Sequence, residues 1–277
     1  MKITFLGTGA AEGIPALFCN CEFCKGARKR GEIRSRSQVL LGGELSIEFP
    51  PDAFYHAVAF HIDLSAIKYL LVTHSHMDHF YAHDFVLRGY KYAREMTSPT
   101  IDIYGNAEGI SVFGECTRRE LRGDVAENIR LHTVSAFEEF EVGGWRVHTL
   151  IAKHSSQEPL LYALEKDGKR ILHLTDTSLL PEEDYLFLEQ IGGKPFDLVV
   201  LDCTFVWGRA KEDSRHMGVE DDMQVLSRLE KIGLVDGKTK KVITHFSHHS
   251  EPTKENLQRA EKTYGVIAAY DGLTLEI

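Results

Sequence analysis

The stretch Thr73-His74-Ser75-His76-Met77-Asp78-His79 constrains this chain more than any other. It sets three histidines and one aspartate within six positions, directly after an apolar run, residues 67–72, that reads as a buried β-strand. In an extended segment, side chains two apart point the same way, so His74 and His76 share a side. Asp78 and His79 follow where the chain turns toward a helix expected over residues 80–95. Four ligand-type side chains thus crowd the carboxyl end of a strand, where open α/β sheets place their sites. Imidazole with carboxylate suits zinc, manganese or iron.

The rest of the chain alternates short apolar runs with helix-length amphipathic segments. Strands are expected at 101–104, 196–201 and 241–244, and helices from about 105 to 121, over 181–191 and over 216–231. Two antiparallel hairpins are expected in the middle. Segments 140–142 and 145–151 flank Gly143-Gly144, and segments 160–164 and 170–174 flank Asp167-Gly168. With 277 residues, 43% of them hydrophobic, the chain can bury a large core. No repeat, linker or low-complexity tract divides it, so the expectation is one α/β domain over 1–277, with helices outside packed mixed sheets.

Three more ligand-type residues stand at expected strand ends: His154, Asp176 and His245. Each alone reads as an ordinary polar cap. Their shared position supplies enough ligands for two metal ions. Near the N-terminus, Cys19-Asn20-Cys21-Glu22-Phe23-Cys24 brings three thiols too close for an easy disulfide but well placed to converge on one zinc, which then needs a fourth ligand. The total of five cysteines, with Cys116 and Cys203 as expected core residues, argues against a disulfide framework and for a reducing, cytoplasmic setting.

The H-x-H-x-D-H run at 74–79, with a later His, a later Asp and a final His in order, resembles the metallo-β-lactamase superfamily. The resemblance covers essentially the whole chain and implies a four-layer αβ/βα sandwich of two mixed sheets. It implies that His74, His76 and His154 hold one catalytic metal, that Asp78, His79 and His245 hold a second, and that Asp176 bridges them. The metals would be Mn or Zn. Leu6-Gly7-Thr8-Gly9-Ala10 followed by C-x-C-x-x-C is similar to the PhnP-type phosphodiesterases. That likeness adds His248 to Cys19, Cys21 and Cys24 around a structural zinc. It also implies His216 as general acid with Asp202 as its orienting partner, and Asp78 as a catalytic residue as well as a ligand. The chain departs from the pattern at Glu48, where an Asp is usual; Glu48 or Asp52 is expected to support the ligands instead. His83 is a further pocket-lining candidate, and the six basic residues between Lys25 and Arg36 are read as either a solvated face or a positive rim.

The implied activity is hydrolysis of a small or cyclic phosphodiester. A formal net charge of −9 makes long nucleic acid an improbable partner, because phosphate binding needs clustered Lys and Arg. No apolar stretch approaches a membrane span, and a homodimer is left open. A tRNase Z-like ribonuclease, a PqqB-like cofactor-biosynthesis protein, and thioester or lactam hydrolysis on the same metals remain as alternatives.

Overall fold

The computed structural model describes residues 1–211 and 214–277. Fourteen strands form two sheets of seven. The first sheet contains β1 (Lys2–Gly7), β2 (Gln38–Leu41), β3 (Leu45–Ile47), β4 (Tyr69–Leu71), β5 (Ile101–Gly105) and β6 (Ile129–Thr133). The second contains β7 (Glu139–Val142), β8 (Trp145–Ile151), β9 (Leu160–Lys166), β10 (Lys169–Leu174), β11 (Leu198–Asp202), β12 (Lys240–Thr244) and β13 (Ile267–Ala268). The last strand, β14 (Leu273–Glu276), returns to pair antiparallel with β1, Ile3 opposite Leu275.

Both sheets are mixed. In the first, β1–β2–β3 are antiparallel and β3–β4–β5–β6 parallel. In the second, β7 to β10 form an antiparallel meander and β10 to β13 run parallel. Both expected hairpins are present. The first turns at Gly143, whose φ of +56° favours glycine and whose added Cβ would sit 2.2 Å from the Tyr69 ring.

The apolar runs are explained by burial on two faces. Leu198 and Val200 of β11 point between the sheets, with Ile3, Phe5, Leu45 and Tyr162, while Val199 and Leu201 point outward. The outward side is covered by helices α5 (Glu182–Ile191), α6 (Val219–Lys231) and α7 (Lys254–Tyr264), which contribute Leu188, Val225, Leu229 and Leu257. On the other sheet, Val72, Ile103 and Leu70 pack under Phe80, Phe85 and Phe113. Phe113 belongs to α3 (Ala107–Thr117). The result is the expected αβ/βα four-layer sandwich.

Two helix expectations need correction. Residues 80–95 hold only a 3₁₀ helix, Ala82–Leu87, followed by turns. Gly89 at φ +148° breaks the run, and the Arg88 side chain leaves it to donate to the Ser98 carbonyl (2.9 Å). The helix expected from 216 begins instead at Val219. Gly218 is extended at its N-cap, and Met217 N–H is spent on Asp202 Oδ1 (3.1 Å). His216 therefore sits on the approach to α6 and not within it.

Helix α5 also braces the second sheet through one buried carboxylate. Asp184 Oδ1 accepts from Ile151 N–H (3.0 Å) at the end of β8, while Oδ2 is buried with no hydrogen-bond partner among the described residues. Burial pushes this carboxyl up to about 7. A raised carboxyl pKa favours the folded state below the unfolded value and loses that contribution as pH rises through 7. Asp184→Asn should therefore melt a few degrees above the native protein at pH 8. The gap should close near pH 4, as followed by thermal unfolding across pH. A gap independent of pH would show that Asp184 does not titrate there.

Candidate metal centre

The carboxyl ends of β4, β8, β10, β11 and β12 all open at one edge of the sandwich, and each delivers a polar side chain there. His74, His76, His154 and Asp176 offer one ligand atom apiece within 4.8 Å of each other. Asp78, His79, Asp176 and His245 do the same. The structure thus brings together all seven residues named from the motif and the strand ends, with Asp176 common to both groups.

The spacings fit cations. His74 Nε2 lies 3.1 Å and His154 Nε2 3.4 Å from Asp176 Oδ2, and His76 Nδ1 lies 2.9 Å and 3.2 Å from those two nitrogens. Ligand atoms about 2.0 Å from a tetrahedral zinc stand roughly 3.3 Å apart. On the other side, His79 Nε2 is 3.1 Å from Asp78 Oδ2 and 3.0 Å from Asp176 Oδ2, and His245 Nε2 is 3.9 Å from Asp176 Oδ1. Both His79 ring nitrogens, Asp176 Oδ1 and His245 Nε2 are buried and form no hydrogen bond among the described residues. Atoms so close and yet misaligned for hydrogen bonding suit a shared cation.

The far ring nitrogens show why the lone pairs face inward. Thr73 Oγ1 gives its proton to Glu48 Oε1 (2.5 Å), so it accepts from His74 Nδ1 (2.8 Å) and leaves Nε2 bare. Thr204 Oγ1 donates to the His245 carbonyl (2.9 Å) and accepts from His245 Nδ1 (2.9 Å), with the same effect. Glu48 Oε1 also lies 3.2 Å from His79 Nδ1. Glu48, and not Asp52, therefore braces the ligands, since Asp52 is engaged by Arg36 (2.9 Å). Neither Thr73 nor Thr204 was legible as functional in the sequence; only their places beside His74 and two after Asp202 could have marked them.

Three non-glycine residues at this edge adopt left-handed backbone: Glu48 (φ 68°), Asp176 (φ 60°) and His245 (φ 64°). Each costs on the order of 1–3 kcal/mol and persists only where its surroundings hold it. Asp176 N–H donates to Asp202 Oδ2 (3.1 Å), and Ser46 Oγ donates to the Glu48 carbonyl (2.9 Å).

Electrostatics divide the histidines. Burial pushes His154 down to about 4 and lowers His76 and His245, leaving them neutral and able to ligate near pH 7. For His79, burial acts downward but is outweighed by Asp78, Asp176 and Glu48, which hold it well above the usual range. Burial likewise opposes charge on Asp176, but His245 and His79 keep its carboxyl well below the usual range.

His216 Nδ1 stands 3.1 Å from Asp202 Oδ2 and 3.0 Å from Asp176 Oδ1. Burial would lower it; the two carboxylates raise it to about 10. Asp202 is itself fixed by N–H groups of Thr204 (3.0 Å) and Met217 (3.1 Å). These groups floor a cavity of about 390 Å³ walled by residues 10–12, Phe205, Ser247, His249 and Ser250. His83 does not line it; the ring is exposed beside Tyr81, 4.9 Å away.

A second group forms where the N-terminal loop meets the loop after β12. Cys19, Cys21, Cys24 and His248 gather within 4.8 Å, with Cys24 Sγ 3.4 Å and Cys21 Sγ 3.9 Å from His248 Nδ1. Cys21 caps α1 (Glu22–Arg30), and the Cys24 N–H, then His248, lower its thiol to about 6. Burial raises the Cys24 thiol to about 11, so a thiolate there needs a cation beside it. The loops themselves are joined by backbone bonds from Ala10 N to Phe246 O (3.0 Å) and Phe246 N to Thr8 O (2.9 Å). Gly7 allows a different close approach, that of the segment before β2, since a Cβ would lie 1.9 Å from the Arg36 carbonyl. Cys203 is buried in the cluster beneath α5, α6 and α7, and Cys116 packs against the separate cluster around Phe80, Phe85 and Phe113.

None of the six basic residues lines the cavity, and five of them have partners elsewhere. Arg28 donates to the Ala16 and Cys19 carbonyls, Arg34 to Thr8 and the Ala269 carbonyl, and Arg36 to Asp52. Lys25 pairs with Glu22 and Arg30 with Glu32.

Residues 51–246 match the family model for the beta-lactamase superfamily domain, and the chain belongs to that superfamily. Its fold is the metallo-β-lactamase fold, shared with solved structures over its whole length. A diphosphatase from the PhnP family superposes with a TM-score of 0.72 at 23% identity, covering 100% of this chain and 98% of that one. Zn²⁺-bound PqqB from Methylobacterium extorquens gives 0.74 at 18%, with both chains covered completely. The short form of human tRNase Z gives 0.66 at 18%, covering 100% and 99%. At these identities the likeness concerns the fold. A curated relative, an octanoyltransferase of Porphyromonas gingivalis (strain ATCC BAA-308 / W83), is 23% identical over 282 residues; the match takes in 99% of this chain but only 51% of that protein's length.

The bracing role of Glu48 is open to test. Glu48→Ala should lower unfolding stability by about 2–3 kcal/mol, because the buried Thr73 hydroxyl loses its acceptor and the His79 imidazole loses a neighbouring carboxylate. Glu48→Asp should recover little, its carboxylate being one methylene short of Thr73. An unchanged denaturation midpoint for Glu48→Ala would refute the role.

Proposed function

We propose that this protein is a metal-dependent phosphodiester hydrolase acting on a small or cyclic diester, with His216 as general acid oriented by Asp202. One observation carries the reading: a histidine held between two carboxylates stands directly beside two ligand groups that share Asp176. His74, His76, His154 and Asp176 would hold one divalent ion, Zn or Mn. Asp78, His79, His245 and the same Asp176 would hold the other. Such a pair, when bound, supplies ionised water near neutral pH and a clamp for phosphoryl oxygens. Cys19, Cys21, Cys24 and His248 would hold a separate structural zinc.

The chain's own residues supply what remains. Asp202 accepts from His216 Nδ1, which fixes the ring and favours its charged form. His216 Nε2 is then the proton-bearing atom available to a departing alkoxide. The cavity volume, about 390 Å³, suits a small ester, and the absence of lysine or arginine among its described lining residues disfavours a long polyanion. The complete set of ligand-type side chains favours hydrolysis over a non-enzymatic role.

Two measurements test this. With Mn- or Zn-loaded protein, His216→Ala should slow diesters with alkoxide leaving groups about 10²–10³-fold and p-nitrophenyl diesters far less. Equal losses on good and poor leaving groups would remove His216 as the acid. Metal analysis should return about three ions per chain, with one fewer in His248→Ala. A chain that binds no metal at His74–His79 ends the hydrolase reading.

A further inference from the structure

We propose that Glu12 sets the selectivity of this cavity. Its carboxylate rejects esters whose organic arm bears a second negative charge, and it accepts a hydrogen bond from an uncharged, hydroxylated arm. The substrate class is then a phosphate ester of a neutral polyol. This rests on the hydrolase reading for the place of the phosphoryl group, and it concerns the opposite wall.

Glu12 lines the cavity from the N-terminal loop. Its Oε1 accepts from Ser247 Oγ (2.6 Å) and His248 N–H (3.2 Å), and lies 3.8 Å from His248 Nε2. The carboxylate is therefore fixed in place by the loop that also carries His245. Its Oε2 has no hydrogen-bond or ion-pair partner among the described residues, and the side chain is 31% exposed. One oxygen is anchored and the other is presented.

The surroundings do not offset that charge. No lysine or arginine lines the cavity among the described residues. The nearby guanidinium groups are committed: Arg36 to Asp52 and the Ala11 carbonyl, Arg34 to Thr8 and the Ala269 carbonyl. A first phosphoryl charge would be met by the cations that the seven-residue cluster would hold. A second, on the arm, meets Glu12, and an uncompensated like-charge contact in a partly desolvated site is costly. A hydroxyl there has Oε2 as acceptor. Ser250, whose Oγ donates to the Thr204 carbonyl (2.8 Å), keeps lone pairs free on the same wall.

Glycerol 3-phosphate and 3-phosphoglycerate differ by a hydroxymethyl group against a carboxylate, and calorimetry on the Mn-loaded protein can compare them. The native protein should bind glycerol 3-phosphate at least about 10-fold more tightly, and Glu12→Gln should bring the two within about 3-fold, mainly by improving 3-phosphoglycerate. Glu12→Ala should move the ratio the same way. Equal affinities in the native protein, a ratio unmoved by either substitution, or no binding of both ligands would each overturn the proposal. Hydrolysis of bis(p-nitrophenyl) phosphate, assayed in parallel, reports separately on the hydrolase reading. Discrimination without hydrolysis leaves Glu12 in its role and removes the activity; hydrolysis without discrimination does the reverse.

Discussion

Asp176 is the constraint around which the rest of the structure is arranged. Its carboxylate is 3% exposed, and within 4 Å of it lie ring nitrogens of His74, His79, His154, His216 and His245. An isolated carboxylate at such a depth would be far too costly to ionise, so its position demands positive charge or strong donors around it. Those donors come from the ends of β4, β8 and β12 and from the approach to α6, and they reach Asp176 because β4, β8, β10 and β12 all open at the same edge. The left-handed backbone at Glu48, Asp176 and His245 is the local cost of that convergence. Backbone and hydroxyl bonds from Asp202, Ser46 and Thr204 hold it.

The N-terminal loop makes sense in the same frame. His245 leaves β12 in a strained conformation, and the chain after it has no strand to stabilise it. Bonds to Thr8 and Ala10 and the Cys19–Cys21–Cys24–His248 group pin that loop within three residues of His245. The cysteine group thereby bears on the edge that carries His245 without touching it. It also fixes Glu12 through Ser247 and His248, so one structural element serves both ligand placement and the far wall of the cavity.

Much of this was legible in the sequence, for physical reasons that also explain what was not. His74 to His79 could be read locally, because three imidazoles in six positions have no ordinary structural use. The strands could be read because burial on both faces leaves a nearly unbroken apolar run, as at Leu198–Asp202. His154, Asp176 and His245 could be singled out only as a set, by their shared strand-end position, since a single polar residue ends most strands; which metal each would hold came through likeness to a superfamily. Residues 80–95 were misread as helical because the pattern of apolar residues hides the break at Gly89. His216 was placed in a helix because its fixing by Asp202, fourteen residues earlier, is tertiary. The choice between Glu48 and Asp52 depended on Arg36, which claims Asp52 from sixteen residues away. The basic segment stayed open between a solvated face and a positive rim because sequence shows the charges and not the groups their side chains turn to.

The ligand cluster by itself is not selective. A pair of cations with an adjacent acid would promote attack on many ester and amide centres, and the fold hosts unrelated chemistries on the same scaffold. Selection has to come from groups that meet the substrate away from the reacting bond. In this chain those groups sit on the loops after β1 and β12, the two segments that the cysteine and histidine cluster joins. A change in that cluster should therefore register in which substrates are accepted before it registers in folding. The sandwich core, with Phe5, Leu45, Tyr162 and Val200 packed between the sheets, does not depend on those loops for its burial. On the proposal for Glu12, selectivity would rest on those two loops while burial between the sheets rests on the strands, so substitutions at Glu12 and between the sheets should act independently.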